Sequence, residues 1–216
     1  MTTTTVTRRV VHGEARAWLR ENGADPGTSV VTSLPDVSEI EGMDIAAWRA
    51  WFLDTARAVI RWVPEGGVAV FYQSDVRHRG VWIDKGYLVL RAADDEGAPI
   101  LWHKIVCRKP AGTVSHGRAT YSHMIAVAKG TFAPPRHGSV DVLPSAGTMT
   151  WSRAMGVEAC RVACTFLRDE TSTRIVVDPF CGKGTALAVA NAFGFDAIGI
   201  ELSVGRCRTA RNLAIP

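Results

Sequence analysis

The sequence predicts an α/β fold built on a mostly parallel, doubly wound sheet. Short apolar runs rich in β-branched residues alternate along the chain with longer segments whose apolar residues recur at helical spacing. Such alternation favours βαβ units, in which helices cover both faces of a parallel sheet. The chain has 216 residues, of which 47% are hydrophobic, and this is enough for a full core. We therefore predict a single domain over residues 1–216.

The first half of the chain is predicted to begin with a strand and a short amphipathic turn over residues 6–19. A β-branched strand follows at 29–32. Asp44 is a favourable helix N-cap, and the segment 45–63 behind it carries apolar residues on one face. After a Pro/Gly turn, residues 68–72 form an apolar strand.

The second half is predicted to continue the alternation. The segment 87–94 fits either a helix or a strand, and 99–108 and 121–129 predict an antiparallel pair of strands. A helix over 151–169 then leads into the last elements of the chain: a buried strand beginning at Val176, a Gly-rich turn, a helix over 184–193, a strand over 195–201 and a helix over 203–213.

The Gly-rich turn indicates a nucleotide site. Residues 178–185 read D-P-F-C-G-K-G-T, and Glu201 ends the next strand about 20 residues later. Glycines let a ligand approach the backbone, and an acid at a strand end suits the two hydroxyls of a ribose. A dinucleotide site would need a third glycine, and a Walker loop would need its lysine after the second glycine. Asp178 would repel a diphosphate, but it suits the cationic amino-acid end of S-adenosylmethionine.

This motif resembles the cofactor motif D-P-F-x-G-x-G-T of class I S-adenosylmethionine-dependent methyltransferases, especially the amino-methyltransferases of DNA and RNA bases. The resemblance implies a seven-stranded sheet and S-adenosyl-L-methionine as cofactor. It implies that Glu201 holds the ribose and that the methionine end is surrounded by Asp178, Phe180, Gly182, Gly184 and Thr185. Cys181 belongs to the same turn, where its small side chain suits packing rather than nucleophilic chemistry. The alternative is a Gly-rich turn that binds no ligand. The paired acids Asp178 and Glu201 argue against this alternative.

The position of the motif implies a circular permutation. In an unpermuted enzyme of this family the motif opens the domain, whereas here only about thirty residues follow Thr185. Residues 1–130 would then form the substrate-side half and residues 147–216 the cofactor-binding half. The opening strand and Glu14 resemble the family's third strand, whose acid lies near the adenine. Glu14 is therefore a candidate for the adenine amine, and a solvated turn acid is the alternative.

A second motif stands where the resemblance places the target base. In the amino-methyltransferases the fourth strand ends in [D/N/S]-P-P-[Y/F/W], which holds the target amine and stacks a ring on the flipped base. Ser33-Leu34-Pro35-Asp36 occupies this place, so Ser33, Pro35 and Asp36 are the candidate catalytic residues. A carboxylate replaces the ring and could act as a base towards a ring N–H or hydroxyl. Alternatively, Asp36 caps the following turn, because Asp36 and Glu39 resemble a capping box.

Polar and basic residues follow the strand at 68–72, at the edge where doubly wound sheets bind their ligands. Basic residues interleaved with aromatic ones between positions 77 and 118 are typical of nucleic acid binding. A solvated face is the alternative, since the formal net charge is only +4. The substrate-binding candidates are Gln73, Asp75, Arg77, Arg79, Lys104 and Arg108.

We expect a nucleic acid substrate, with RNA, and tRNA in particular, favoured over DNA, because a small domain can read shape and exposed bases. The alternatives are a DNA adenine or cytosine amino-methyltransferase, a small-molecule or protein methyltransferase, and a non-catalytic partner of the same fold. No Cys/His spacing suggests a metal site. Five cysteines without C-x-x-C pairs, no signal peptide and no apolar run of membrane length predict a cytoplasmic protein with no membrane partner.

Overall fold

The computed structural model describes residues 6–215, which form one large sheet, one small sheet and six α-helices. The strands are β1 (Arg8–His12), β2 (Thr28–Thr32), β3 (Val68–Gln73), β4 (Val76–His78), β5 (Val81–Ile83), β6 (Ile100–Cys107), β7 (Tyr121–Ala128), β8 (Val142–Leu143), β9 (Ile175–Asp178) and β10 (Asp196–Glu201). The helices are α1 (Ala15–Glu21), α2 (Ile45–Trp62), α3 (Lys85–Asp95), α4 (Val157–Glu170), α5 (Thr185–Ala192) and α6 (Val204–Asn212), with a 3₁₀ turn at Val37–Glu39.

The large sheet has the strand order β1-β10-β9-β2-β3-β7-β6-β8. The first five strands in this order are mutually parallel, whereas β7 runs antiparallel to both β3 and β6. This confirms the mostly parallel sheet and the antiparallel pair predicted at 99–108 and 121–129. The eighth strand, β8, is two residues long and pairs with β6, so it is too short to give a sequence pattern. Strands β4 and β5 form a separate hairpin.

The beginning and the end of the chain are neighbours in the sheet. β1 pairs in parallel with β10, in a register that sets His12 opposite Glu201. The Arg8 guanidinium donates to the carbonyl of Leu213 at 2.7 Å, beyond the end of α6. The opening strand therefore continues the sheet from the strand that follows the Gly-rich turn. A permuted chain requires this neighbour relation, and the permutation itself stays a prediction.

Helices cover both faces of the sheet, as expected for a doubly wound fold. In β3, Val68, Val70 and Tyr72 pack into a cluster with residues of α4 and α5, whereas Ala69 and Phe71 pack on the other face against α2 and α3. All six residues of β3 are buried. A central strand buried on both faces explains why this segment is a continuous apolar run rather than an alternating one.

Two local predictions are decided by capping. Asp44 caps α2 as predicted, accepting from the backbone N–H of Ala47 at 2.8 Å. The ambiguous segment 87–94 is the helix α3, whose N-cap Asp84 accepts from the N–H of Tyr87 at 2.8 Å. Between residues 6 and 215, no helix is both long and apolar enough to cross a membrane.

The helix predicted over 151–169 begins later than expected. Helix α4 starts at Val157, and the residues before it form an irregular segment in which the N–H of Val157 donates to the carbonyl of Thr148 at 3.0 Å. The prediction of helix at 151–156 was wrong. The Trp151 ring lies against Gly182 of the Gly-rich turn, so a tertiary contact holds this segment out of the helix.

Candidate cofactor and substrate site

A cleft of about 820 Å³ opens beyond the carboxyl ends of the parallel strands. Seven of the eight residues predicted for the cofactor line it, all except Gly184. Ser33, Leu34 and Pro35 line the same cleft. The structure therefore brings the Gly-rich turn and the second motif to one cavity, at the edge where sheets of this kind bind ligands.

Asp178 lies at the bottom of this cleft as a buried carboxyl group. Its Oδ1 accepts from the Thr32 hydroxyl at 2.7 Å and from the N–H of Phe180 at 3.1 Å. Burial raises its pKa to about 7, and the nearby charge of Glu201 acts in the same direction, although the two hydrogen bonds oppose the shift. A buried carboxylate without a cationic partner is costly. Asp178 is therefore suited to pair with the cationic end of a ligand.

The glycines of the Gly-rich turn adopt left-handed backbone angles. Gly182 has φ 54° and Gly184 has φ 87°. A Cβ on Gly182 would lie 2.7 Å from the Trp151 ring, and one on Gly184 would lie 2.8 Å from the Cα of Ala210. Gly184 is thus explained by its packing on α6. Both positions require glycine for conformation and for space.

Thr185 and Cys181 complete the turn in different ways. The hydroxyl of Thr185, the first residue of α5, lies 2.5 Å from that of Thr150. The N–H of Cys181 donates to the carbonyl of Ile200 at 3.0 Å, and burial raises the pKa of its thiol far above the usual value. A thiol that stays protonated is not a nucleophile. These contacts agree with the predicted packing role of Cys181.

Glu201 and Glu14 are the other two predicted cofactor acids of the cleft. Glu201 is buried, and its Oε1 accepts from the N–H of Ser203 at 2.8 Å and lies 3.7 Å from the Arg206 guanidinium. Glu14 caps α1, because its two carboxylate oxygens accept from the N–H groups of Arg16 and Ala17 at 2.9 and 2.7 Å. The contacts of Glu14 favour the turn-acid alternative, and its contact with an adenine stays a prediction.

One wall of the cleft was missed by sequence reasoning. Trp151 and Arg153 belong to the irregular segment before α4 and line the cleft. The cationic groups of Lys183 and Arg206 lie 5.7 and 5.2 Å from the centroid of the Trp151 ring. Arg153 pairs with the Glu39 carboxylate at 2.8 Å and so connects this wall to the loop after β2. The glycines at 147 and 156, which bound the segment, are the sequence signal that could have indicated a loop.

In the second motif, Asp36 is the one residue that does not line the cleft. Its carboxylate pairs with the Nζ of the buried Lys85 and does not line the cleft. Its backbone N–H donates to the Glu39 carboxylate at 3.3 Å, as in a capping box. The carbonyl of Pro35 accepts from the Trp48 indole at 3.2 Å. The contacts of Asp36 therefore favour an anchoring role over that of a base, which must reach the substrate.

None of the six predicted substrate-binding residues lines the cleft. Asp75 and Lys104 are buried and engaged: Asp75 accepts from the N–H of Lys85 at 2.8 Å and from His123 at 3.1 Å, and Lys104 donates to the carbonyl of Val140 at 2.8 Å. Burial by itself would raise the pKa of Asp75, but hydrogen bonds, the strongest from His123, lower it. Gln73 is fully buried as well. The structure therefore does not support direct substrate contact for these three residues, because each side chain is buried.

Arg77, Arg79 and Arg108 remain accessible. Arg77 and Arg79 are exposed on the β4–β5 hairpin, and the Arg77 guanidinium lies 5.2 Å from the centroid of the Trp82 ring. Arg79 occupies the hairpin turn with φ 49°. Arg108 is half-buried and donates to the Ser74 hydroxyl at 3.2 Å. The basic and aromatic pattern of the sequence therefore corresponds in part to a real surface, adjoining the end of β3.

A cluster of three potential metal ligands lies beneath this hairpin. Ligand atoms of Asp75, Asp84 and His123 lie within 4.8 Å of one another. Asp75 and His123 are hydrogen-bonded to each other, Asp84 caps α3, and the second ring nitrogen of His123 lies 2.9 Å from His103. Hydrogen bonding within the protein accounts for all three side chains.

Several solved structures with a similar fold are described as DNA methyltransferases or proposed DNA methylases. No family model matches this sequence, and no curated protein matches it either. TTHA0409 of Thermus thermophilus, a proposed DNA modification methylase complexed with S-adenosyl-L-methionine, aligns with a TM-score of 0.73 at 20% identity, covering 95% of this chain and 93% of that one. The cytosine-N4-specific PvuII DNA methyltransferase gives a TM-score of 0.74 at 18% identity, covering 97% and 88%. The M1.HpyAVI–SAM complex gives 0.66 at 15% identity, covering 95% and 98%.

These likenesses extend over nearly the whole chain. At this level of identity the comparison establishes the architecture. The chain has the class I S-adenosylmethionine-dependent methyltransferase fold.

Proposed function

We propose that this protein is an S-adenosylmethionine-dependent methyltransferase that modifies an exocyclic amino group of a DNA base. The observation that carries the proposal is the meeting of the Gly-rich turn and the Ser33–Pro35 segment in one cleft. The Gly-rich turn supplies groups suited to the cofactor. The Ser33–Pro35 segment supplies polar groups at the end of the neighbouring strand, β2.

The residues of the turn fit S-adenosylmethionine on three counts. Asp178 is a buried carboxyl whose pKa is raised by burial, Glu201 is a buried acid at the end of β10, and Gly182, which lines the cleft, has no side chain to cover the backbone of the turn. When bound, this cofactor supplies a methyl group on a sulfonium. Asp178 would hold its amino-acid end, and Glu201 would accept hydrogen bonds from its ribose hydroxyls.

The second motif would position the target amine. The Ser33 hydroxyl and the carbonyl of Leu34 are the available acceptors, because the carbonyl of Pro35 is already bonded to Trp48. Two acceptors would orient the amine lone pair towards the methyl group, which is catalysis by positioning. Asp36, held by Lys85, would anchor this loop rather than remove a proton.

The choice of DNA replaces our expectation of RNA. The neighbours are named as DNA methylases, and one is cytosine-N4-specific, so they support the DNA alternative and give no support to tRNA. On the protein itself, Arg77 and Arg79 would contact phosphates, and the exposed Trp82 beside them is a ring on which a base can stack.

The test is transfer of a tritiated methyl group from S-adenosylmethionine to unmethylated bacteriophage DNA and, in parallel, to unmodified tRNA, followed by mass spectrometry of the nucleosides. We expect N6-methyladenosine or N4-methylcytidine in deoxyribose form from the DNA. Label in the tRNA alone would establish the RNA alternative. Absence of S-adenosylhomocysteine binding in calorimetry would contradict methyltransferase activity altogether.

A further inference from the structure

We propose that Trp51, on α2, supplies the ring that stacks on the base being methylated, in place of the ring missing at position 36. This inference rests on the proposed function and names a residue that recognises the substrate. The loop after β2 ends in a carboxylate, and that carboxylate is held by Lys85 outside the cleft. A flipped base therefore has no stacking partner on the loop itself.

Trp51 lies in the required place. It is half-buried and lines the cleft together with Ser33, Leu34 and Pro35. Its ring packs against the Phe180 ring of the Gly-rich turn, with centroids 6.0 Å apart and planes at 78°. An edge-to-face contact fixes the plane of an indole and covers at most one of its faces. The ring thus packs on the Gly-rich turn while it lines the same cleft as the second motif.

The start of α2 is docked on the loop that would hold the target amine. Trp48 is fully buried, and its indole N–H donates to the carbonyl of Pro35 at 3.2 Å. Residues three apart on a helix are neighbours on its surface. Trp51 therefore follows Trp48 by nearly one turn and stands beside the same loop.

The other large ring of the cleft is committed elsewhere. Trp151 contacts the cationic groups of Lys183 and Arg206 and lies against Gly182. This position adjoins the acids that would hold the cofactor. Phe180 belongs to the turn itself and packs on Trp51. Of the three aromatic rings that line the cleft in residues 6–215, Trp51 is the one on α2, the helix docked on the second motif.

The experiment compares Trp51→Phe, Trp51→Leu and Trp51→Ala in single-turnover methyl transfer to unmethylated bacteriophage DNA, together with the KM for DNA and the affinity for S-adenosylhomocysteine. Stacking of one base on a ring corresponds to about a 5- to 150-fold effect. We expect Trp51→Leu, which keeps an apolar side chain but loses the π face, to lower kcat/KM by an amount in this range. Trp51→Phe should retain activity within a few-fold, and cofactor affinity should be unchanged in all three variants.

A matched control is Trp62→Leu on the same helix. Trp62 packs on Trp18 and donates to the carbonyl of Asn22, and it does not line the cleft. This variant should lose thermal stability without losing transfer by the folded fraction. Equal activity of Trp51→Leu and Trp51→Phe would overturn the inference, and so would a parallel loss of cofactor affinity, since Trp51 would then be only a wall. A wild-type protein that binds the cofactor but transfers nothing to DNA would overturn the proposed function and this inference with it.

Discussion

The cleft, on the proposed cofactor side, and the β4–β5 hairpin, on the proposed substrate side, hold their functional groups in different ways. On the cofactor side, Asp178 and Glu201 are buried and fixed by backbone N–H groups, next to glycines that no other residue can replace. On the substrate side, Arg77 and Arg79 are exposed on a two-stranded hairpin. A preformed buried site suits one invariant small ligand, whereas exposed cations suit a polymer that is bound through its charge. Changes on the first side should therefore act through desolvated charges, and changes on the second side should depend on salt.

The largest effect is expected from removing the acids of the cofactor side. Asp178→Ala and Glu201→Ala each remove hydrogen bonds to a charged group, worth about 1.5–3 kcal/mol or roughly 10- to 150-fold in affinity. Titration calorimetry with S-adenosylhomocysteine measures this loss. Glu14→Ala is the control, because its carboxylate is used as a helix cap, and it should change affinity only a few-fold. Unchanged binding in both acid variants would remove the basis for the cofactor assignment.

If Asp36 anchors the loop after β2, its removal should lower the stability of the protein and leave cofactor affinity unchanged. Asp36→Ala leaves the ammonium of Lys85, which is 3% exposed, without its partner. We expect the free energy of unfolding, measured in urea, to fall by about 1–3 kcal/mol. This is less than for a fully buried pair, because Asp36 is partly exposed. Combining it with Lys85→Met should recover most of this loss. Asp54→Ala, which breaks an exposed pair with Arg57, should cost at most about 1 kcal/mol.

If Asp36 were the catalytic base, Asp36→Asn would instead lower the rate by about 10²–10⁴ with little effect on stability. Single-turnover rates of Asp36→Asn and Ser33→Ala distinguish the two roles. We expect Ser33→Ala to have the greater effect on rate, because the Ser33 hydroxyl would bind the amine directly.

The buried Asp178 should make cofactor binding depend on pH. Its pKa is raised from 3.8 to about 7, so the folded protein holds a proton that the unfolded chain has lost. The free energy of unfolding of the ligand-free protein should therefore fall as the pH rises from about 4 to about 7. Binding of a cation by the ionised form should weaken by about tenfold for each pH unit below 7. Asp178→Asn should abolish both dependences, and a pH-independent affinity in the wild type would contradict the ion pair.

On the substrate side, the expected effects are smaller and depend on salt. The double variant Arg77→Ala/Arg79→Ala should reduce the slope of log affinity against log salt by about 0.9 for each phosphate that is no longer bound, or roughly threefold in affinity per phosphate between 50 and 200 mM salt. Fluorescence anisotropy with duplex DNA measures the slope. Arg168→Ala/Arg174→Ala, at the end of α4 and just before β9, is the charge-matched control. Equal slopes in the two double variants would show that the hairpin is only a solvated face.

The smallest effect is expected where the two walls of the cleft meet. Arg153 pairs with Glu39 at 2.8 Å across the cleft and is well exposed, so the pair is worth at most about 1 kcal/mol. Arg153→Ala should speed S-adenosylhomocysteine dissociation by up to about fivefold in stopped-flow measurements. A double variant with Glu39→Ala should be no faster than the single variants, because both remove the same pair. Additive effects would mean that the two residues act separately.

The same contrast determined what could be predicted. The turn proposed to bind the cofactor could be predicted because its requirements are local: left-handed glycines, a short strand before them and an acid at the end of the next strand. The substrate side could be read only as a composition of basic and aromatic residues. That composition includes Lys104, and the polar residues just before it include Asp75; both proved to be buried partners of other groups.

The sequence by itself thus determined the alternation of strands and helices, the Asp44 cap, the turn that follows Asp178, and the chemistry suited to the cofactor, because each depends on residues close together in the chain. Only the tertiary structure decided that Asp36 turns to Lys85, that Trp151 is held out of α4 by its packing on Gly182, and that Trp51 stands beside Pro35 and Phe180. These contacts join residues far apart in the sequence. Their free energy comes from burial and pairing of side chains in three dimensions, which local patterns do not contain.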